Sequence, residues 1–312
     1  MDEDSVGEGR CGLWLIPNFE FMVEGNKEKM QEFALADRKI ATTLPAFVMG
    51  IVNLTDDSFY EKSRKKTAQA AADAALRMQD EGADIIDLGA ESTRPGSCYV
   101  SAEQEIARLI PVIDAIRKRT QIPLSVDTRK KAVIQAAAES GANILNDVSA
   151  LEDDAEIGRF CAQFSHGMPV ILMHKRGIPD IMQDVAHTAY TDVFLEVDAY
   201  LRSRVEYALS CGIQKDKIVL DPGIGFAKNL AANKTLIRRA GELCDGQFPV
   251  LMALSRKTCI GEMTGKKPAE ARLAGTVAAD VLSVLWGAKF VRVHDVGEAV
   301  DSLKILGELT QI

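Results

Sequence analysis

The sequence predicts an α/β fold, a TIM-type (β/α)8 barrel with an N-terminal extension that caps the barrel bottom. Eight short apolar runs each end at a polar or charged residue, and most are followed by residues with helical periodicity. Such runs suit strands that are buried on both faces, and eight of them with intervening helices close into a barrel. The runs span residues 47–53, 84–91, 123–127, 143–147, 169–174, 217–221, 249–255 and 290–294.

The order of elements along the chain supports this fold. The first run leads through a polar loop to an alanine-rich helix that begins near Thr67, and Gly82 ends that helix. The same alternation recurs after Ser101, Arg129, Tyr190, Leu230 and Ala269. Residues 1–45 do not show this alternation of strand and helix patterns. We therefore divide the chain into an N-terminal extension, 1–45, and a barrel domain, 46–312.

Composition excludes several classes of partner. With 37 Lys and Arg against 45 Asp and Glu, the net charge is −8, which disfavours nucleic acid and an anionic membrane surface. Cations nevertheless stand at or after the ends of predicted strands, at Arg94, Arg256, Lys257, Arg292 and His294. An acidic protein that concentrates positive charge at one end of a barrel is expected to bind a small anion.

Cysteine usage and the N-terminus favour a cytoplasmic protein. The 6 cysteines show no paired spacing, which fits neither a disulfide framework nor a zinc site, so we expect reduced thiols. The chain opens on Met-Asp-Glu-Asp, and the apolar stretch 13–17 is too short for a signal core or a membrane span.

Two aspartates end buried strands from distant parts of the barrel. Asp127 and Asp221 could each cap the following helix. For one aspartate alone, a helix-capping role explains its position as well as a ligand-binding role does. Together with Asn146 they favour a ligand with several adjacent N–H donors, such as an amino-pyrimidinone ring.

The last two strands end in cations. Ser255-Arg256-Lys257 and Arg292-Val293-His294 fall where barrels frequently hold phosphate. A surface salt bridge is the plain alternative for Arg256, whereas an arginine inside an apolar run, as at Arg292, needs a buried partner.

Other candidates are weaker. Asn53 offers a neutral oxygen suited to Mg²⁺, although an isolated asparagine more often forms a turn. With four histidines and no cluster at ligand spacing, catalytic zinc is not expected, and we expect His174 to be structural. The nucleophile-elbow, phosphate-loop and dinucleotide glycine motifs do not occur in the sequence, which disfavours acyl transfer, kinase and dehydrogenase activity.

The ordered set of motifs closely resembles the dihydropteroate synthases, folate-pathway enzymes with a pterin-binding barrel. The resemblance spans about 46–305, and its motifs include Asp221-Pro222-Gly223-Ile224-Gly225-Phe226. The matching segments are residues 48–55, 57–59, 82–96, 125–128, 146–149, 172–174, 221–226, 255–257, 272–276 and 292–295.

The resemblance implies that p-aminobenzoate displaces pyrophosphate from 6-hydroxymethyl-7,8-dihydropterin diphosphate to give 7,8-dihydropteroate. It implies Mg²⁺ bound at Asn53, a homodimer formed through the late helices, and Lys257, Arg292 and Asp127 as catalytic residues. The implied pterin residues are Asp127, Asn146, Asp221 and Lys257, and the implied diphosphate residues are Asn53, Arg292 and His294. The implied p-aminobenzoate residues are Thr93, Arg94, Pro95, Phe226 and Ser255.

Some residues depart from the family pattern. Asp56 replaces the usual proline, and 60–64 replace a glycine-rich stretch, which we expect to stiffen or redirect the first loop. Lys175 and Ala227 also differ from the commonest family residues.

Three other functions remain open from the sequence. A pterin-barrel methyltransferase would share the aspartates and Asn146, but it has no need for the cations of the last two strands. A pterin-binding paralogue with an altered first loop would bind without turnover. Another phosphate-handling barrel would explain the cations but not the two acids with Asn146.

Overall fold

Eight parallel strands form the barrel. The computed structural model describes residues 30–54, 64–91, 99–177 and 184–310. The strands are β3 (Phe47–Asn53), β4 (Ile85–Gly89), β5 (Leu124–Asp127), β6 (Ile144–Asp147), β7 (Val170–Met173), β8 (Ile218–Asp221), β9 (Leu251–Met252) and β10 (Phe290–Val293). They pair in the order β8-β7-β6-β5-β4-β3-β10-β9, and a parallel bridge between Leu220 and Val250 closes the ring. Each of the eight predicted runs contains one of these strands, so the predicted fold is confirmed.

Helices surround the barrel in the described part of the chain. They are α1 (Arg64–Asp80), α2 (Ala102–Arg117), α3 (Lys131–Glu139), α4 (Ile157–Gln163), α5 (Val185–Thr188), α6 (Val193–Ser210), α7 (Leu230–Arg238), α8 (Thr258–Thr264), α9 (Leu273–Leu285) and α10 (Val296–Thr310). Local sequence sets several of their ends: Ser101 and Gln104 form a capping box at α2, and Gly82 has φ of +102° just beyond α1. None of these helices combines the length and the apolar character needed to cross a bilayer.

A two-stranded hairpin lies on the barrel bottom. It consists of β1 (Gln31–Ala34) and β2 (Lys39–Thr42), paired antiparallel. Phe33 of the hairpin is buried, and its ring centroid lies 5.1 Å from that of Phe290. Phe290 stacks in turn on Phe47 at 4.9 Å, and both are the first residues of their strands. The hairpin therefore closes the N-terminal end of the barrel; residues 1–29 of the predicted extension lie outside the described residues.

The barrel interior is divided into an apolar lower half and a polar upper half. Since side chains alternate along a strand, each inward-facing apolar residue is followed two positions later by the next inward-facing residue. The lower half contains Phe47, Met49, Ile85, Ile144, Ile171, Val219, Leu251 and Phe290, all buried. The next inward positions are Asp87 after Ile85, Asn146 after Ile144, Asp221 after Val219 and Arg292 after Phe290. The fold therefore gathers polar side chains at the carboxyl end of the strands.

Candidate active site

An arginine between two aspartates forms the centre of the polar half. Arg292 Nε donates to Asp87 Oδ2 at 2.7 Å, and Arg292 Nη2 lies 3.4 Å from Asp127 Oδ2. Asn146 Nδ2 donates to the same Asp87 oxygen at 3.2 Å. Asp87 has no accessible surface and Arg292 retains 17% of its side-chain surface. One cation therefore faces two acids in a largely water-free space.

This arrangement perturbs Asp127. Burial raises the pKa of its carboxyl to about 7, although the Arg292 charge opposes that shift, and Asp87 adds to it. One arginine does not fully compensate two buried carboxylates. Asp127 therefore takes up a proton more readily than a free carboxylate, and a ligand that donates hydrogen bonds would favour its ionised form.

Asp221 and Lys257 stand on the other side of the barrel mouth. Asp221 Oδ1 accepts a hydrogen bond from Gly223 N at 2.6 Å, and Lys257 Nζ donates to Ile224 O at 2.5 Å. Burial raises the pKa of Asp221, with Lys257 opposing the shift. Burial lowers the pKa of Lys257, with Asp221 as the main opposing charge. The lysine and the aspartate are thus electrostatic partners without a direct hydrogen bond.

The two acids and the cations share one space. The Lys257 charge interacts with both Asp221 and Asp127, and Arg292 interacts with Asp221 as well as with its own partners. The structure therefore brings together residues from β5, β8, β10 and the segment after β9, as expected for the carboxyl end of a barrel.

Ser255 and His294 connect the last two strands. Ser255 Oγ accepts a hydrogen bond from His294 N at 3.1 Å and lies 2.9 Å from His294 Nδ1. Arg256, by contrast, has φ of +59° and forms an ion pair with Asp295. The salt-bridge alternative for Arg256 therefore describes its contact in the structure.

Asn53 is exposed at the end of β3, beside Gly89 of the neighbouring strand. A Cβ at Gly89 would lie 3.9 Å from Asn53 Oδ1 and 3.9 Å from Asp127 Oδ2, so Gly89 leaves the space between the two side chains open. The described residues contain no group of three or more His, Cys, Asp or Glu that could hold a metal ion.

Two of the five p-aminobenzoate residues predicted from the resemblance lie among the described residues. Phe226 is half-buried, and its ring centroid lies 5.0 Å from Lys257 Nζ. Ser255 is buried two residues before Lys257. Thr93, Arg94 and Pro95 lie outside the described residues, as do Asp56 and residues 60–63 of the first loop.

Sequence reasoning missed two charged residues of this region, Asp87 and Lys228. Asp87 lies in the middle of a predicted strand, and its charge inside an apolar run was the signal that could have identified it. Lys228 is 3% exposed and contacts His174, which is also buried. Nothing in the local sequence distinguishes Lys228 from an ordinary surface lysine.

Comparisons with known proteins agree with this geometry. Residues 49–294 match the sequence model of a protein family described as Pterin binding enzyme. Dihydropteroate synthase of Escherichia coli (strain K12) is 42% identical over 259 residues, covering 83% of this chain and 90% of the relative. A Xanthomonas albilineans dihydropteroate synthase structure with 4-aminobenzoic acid has a TM-score of 0.81 at 40% identity, covering 90% of this chain and 98% of that one. A structure of the Xanthomonas albilineans enzyme with 7,8-dihydropteroate has a TM-score of 0.78 at 38% identity, covering 90% and 99% of the two chains.

The fold and the matched residues place this chain among the pterin binding enzymes. Within that family it belongs to the dihydropteroate synthases, which are transferases of folate biosynthesis. The family resemblance predicted from the motifs is confirmed, and the methyltransferase alternative is not supported.

The Asp87–Arg292–Asp127 cluster generates a stability prediction. Replacing Arg292 by Met leaves two acids buried without a cation, so we expect a loss of about 3 kcal/mol in the free energy of unfolding at pH 8. Protonation removes the negative charge that Arg292→Met leaves without a cation, so the loss should be smaller at pH 5 than at pH 8. Urea unfolding at the two pH values measures this.

Two further variants make the measurement decisive. The double variant Asp87→Asn with Arg292→Met should recover part of the loss because it buries one acid fewer. Lys304→Met removes an exposed cation 3.6 Å from Asp301 and should change stability by less than about 0.5 kcal/mol. Equal losses for Arg292→Met at both pH values would contradict the electrostatic explanation.

Proposed function

We propose that the polar upper half of the barrel is the dihydropteroate synthase active site. The chain would join p-aminobenzoate to 6-hydroxymethyl-7,8-dihydropterin diphosphate, forming 7,8-dihydropteroate and pyrophosphate. The observation that carries the proposal is the shared space in which Asp127, Asn146 and Asp221 lie close to the charges of Lys257 and Arg292. Acids and an amide suit the N–H groups of a pterin, whereas cations suit a diphosphate.

We assign the pterin ring to Asp127, Asn146, Asp221 and Lys257. Asp221 is buried, Asp127 is largely buried, and both have raised pKa values, so each benefits from a ligand that donates hydrogen bonds. Lys257, held near Asp221 by its contact with Ile224 O, is placed to donate to an acceptor on the ring edge.

We assign the diphosphate to Asn53, Arg292 and His294. Nε and Nη2 of Arg292 face Asp87 and Asp127, so its remaining edge is the one that would contact phosphate. Asn53 Oδ1 is exposed at the same mouth, and a single amide oxygen fits Mg²⁺, which commonly takes its other ligands from substrate phosphates and water. When bound, Mg²⁺ would neutralise charge on the leaving pyrophosphate.

We assign p-aminobenzoate to Phe226 and Ser255, with Thr93, Arg94 and Pro95 supplied by the loop after β4. In the reaction, the bond between the pterin methylene carbon and the diphosphate oxygen breaks, and a bond from that carbon to the aniline nitrogen forms. The nitrogen then loses a proton. Asp127 and Asp221 would stabilise the positive charge that develops on the pterin, and the subsite walls would orient the amine. No covalent bond to the protein is required.

We also propose a homodimer formed through α9, in the cytoplasm as the reduced cysteines favour. The outer face of α9 presents only apolar residues, including Ala278 and the exposed Leu282 and Leu285. A continuous exposed apolar face on a folded protein is typical of an interface.

The dimer generates a prediction on Leu282. In sedimentation velocity the wild type should have twice the 33.9 kDa mass of the chain, and Leu282→Arg should shift it toward the monomer because a charge would be buried in the interface. Leu195→Arg is the matched control, since Leu195 is 61% exposed on α6. A monomeric wild type, or the same response from both variants, would contradict the proposed interface.

Pyrophosphate release tests the catalytic proposal. Release should require the pterin diphosphate, p-aminobenzoate and Mg²⁺ together, and Lys257→Ala should lower kcat/KM by at least about a hundredfold while retaining the wild-type circular dichroism spectrum. Tight binding of pterin diphosphate without turnover would instead identify a non-catalytic pterin-binding protein. Unchanged activity of Lys257→Ala would show that the site is wrongly placed.

The pKa of Asp127 predicts how pterin affinity depends on pH. If the ionised carboxylate accepts the pterin N–H groups, protonation competes with binding, so the dissociation constant should rise about tenfold between pH 8 and pH 6. Calorimetry with 6-hydroxymethyl-7,8-dihydropterin avoids titration of the diphosphate. Asp127→Asn should bind weakly at both pH values without this slope, and a wild-type affinity independent of pH would refute the assignment.

A further inference from the structure

Lys228 lies buried directly behind the loop that follows β8. It is 3% exposed, and its Nζ lies 2.9 Å from His174 Nδ1 and 2.9 Å from Phe226 O. Two short contacts from one buried lysine amine connect the end of β7 to the far side of this loop. None of the residue roles assigned above uses Lys228.

His174 is suited to receive a hydrogen bond from Lys228. It is 2% exposed, and burial, followed by the neighbouring Lys228 charge, lowers the pKa of its ring to about 2. The ring is therefore neutral, and we assign the tautomer in which Nδ1 carries no proton and accepts from the Lys228 amine. His174 N also donates to Asp221 O at 3.0 Å, so the histidine is fixed to β8 through its backbone.

The loop held by Lys228 has an unusual backbone. Gly223, Gly225 and Ala227 all have positive φ, with values of +67°, +84° and +51°. Asn233 Oδ1 accepts a hydrogen bond from Gly225 N at 2.8 Å and thereby fixes the middle of the loop. Lys228 fixes the end that carries Phe226, where Ala227 adopts a conformation that residues other than glycine rarely adopt.

The contacts of Lys228 distinguish Phe226 from Asp221. Lys228 bonds directly to the Phe226 carbonyl, whereas its interaction with Asp221 is through charge without a hydrogen bond in the structure. Removing the Lys228 amine should therefore displace Phe226 more than Asp221, which keeps its bond to Gly223 N.

We propose that Lys228 is a positioning residue for p-aminobenzoate, acting through His174 and the Phe226 carbonyl to hold the Phe226 ring in place. This inference rests on the proposed function, because it assumes that Phe226 lines the p-aminobenzoate subsite. Lys228 itself does not touch the substrate.

Lys228→Met tests the inference, because Met keeps the length of the side chain and removes its hydrogen-bond donors. We expect the KM for p-aminobenzoate to rise at least about tenfold, while the KM for the pterin diphosphate changes by less than about threefold. Lys217→Met is the matched control. Lys217 is 4% exposed and donates to His166 O and Gly167 O, but it lies just before β8, at the opposite end of that strand. This control should lose stability and leave both KM values unchanged.

Variants of His174 test the same contact from its other side and apply even if Lys228→Met does not fold. His174→Asn places an amide oxygen near the position of Nδ1 and should retain a KM for p-aminobenzoate close to the wild-type value. His174→Leu removes the acceptor and should raise that KM as Lys228→Met does.

The outcomes separate this inference from the proposed function. If the wild type releases no pyrophosphate from the two substrates, the proposed function fails. If the wild type is active and folded Lys228→Met has a wild-type KM for p-aminobenzoate, the inference alone is overturned. An equal rise in both KM values, or equal impairment of His174→Asn and His174→Leu, would also overturn it.

Discussion

The burial of Arg292 between Asp87 and Asp127 is the interaction on which the upper half of the barrel depends. The three side chains come from β10, β4 and β5, so both ion pairs of Arg292 connect strands that are not neighbours in the sheet. A buried charge without a partner is costly. Arg292, Asp87 and Asp127 therefore favour the one arrangement of β10, β4 and β5 in which the three side chains meet. The cluster therefore specifies an arrangement of strands rather than simply adding stability.

The apolar lower half makes this cluster effective. Phe33 from the hairpin packs on Phe290, and both belong to a cluster of buried apolar residues below the charged side chains. The charges above stand on this apolar layer and therefore act in a medium of low effective dielectric constant. The pKa of Asp127, raised to about 7, is a direct consequence of this burial.

The strands could be predicted from the sequence because barrel strands are buried on both faces and give continuous apolar runs. The location of most candidate site residues could be predicted too, because parallel strands end at the same side of a barrel and the polar residue that ends each run falls there. Asp87 was missed because it precedes the end of its strand, and only the pairing with Arg292 explains its presence. The hairpin was missed as a pair of strands because Gln31–Thr42 mixes exposed and buried positions over four-residue strands.

Lys228 could not be predicted for a different reason. Its burial depends on a loop in which three residues adopt positive φ, and this reversal directs residue 228 back toward His174. Gly223 shows how tightly the loop is packed, since a Cβ there would lie 1.9 Å from His174 O. Such contacts between β7 and the loop after β8 arise only in the closed barrel, and no pattern of neighbouring residues encodes them.

The loop after β8 carries residues assigned to both substrates. Its first residues fix Asp221 through Gly223 N, Ile224 O receives the hydrogen bond from Lys257, and Phe226 follows two residues later. Six consecutive residues therefore carry contacts assigned to the pterin ring and to p-aminobenzoate. A loop held by buried hydrogen bonds at its start, middle and end keeps these groups at fixed separations, and orientation of two reactants is the main requirement of a reaction that needs no covalent bond to the protein.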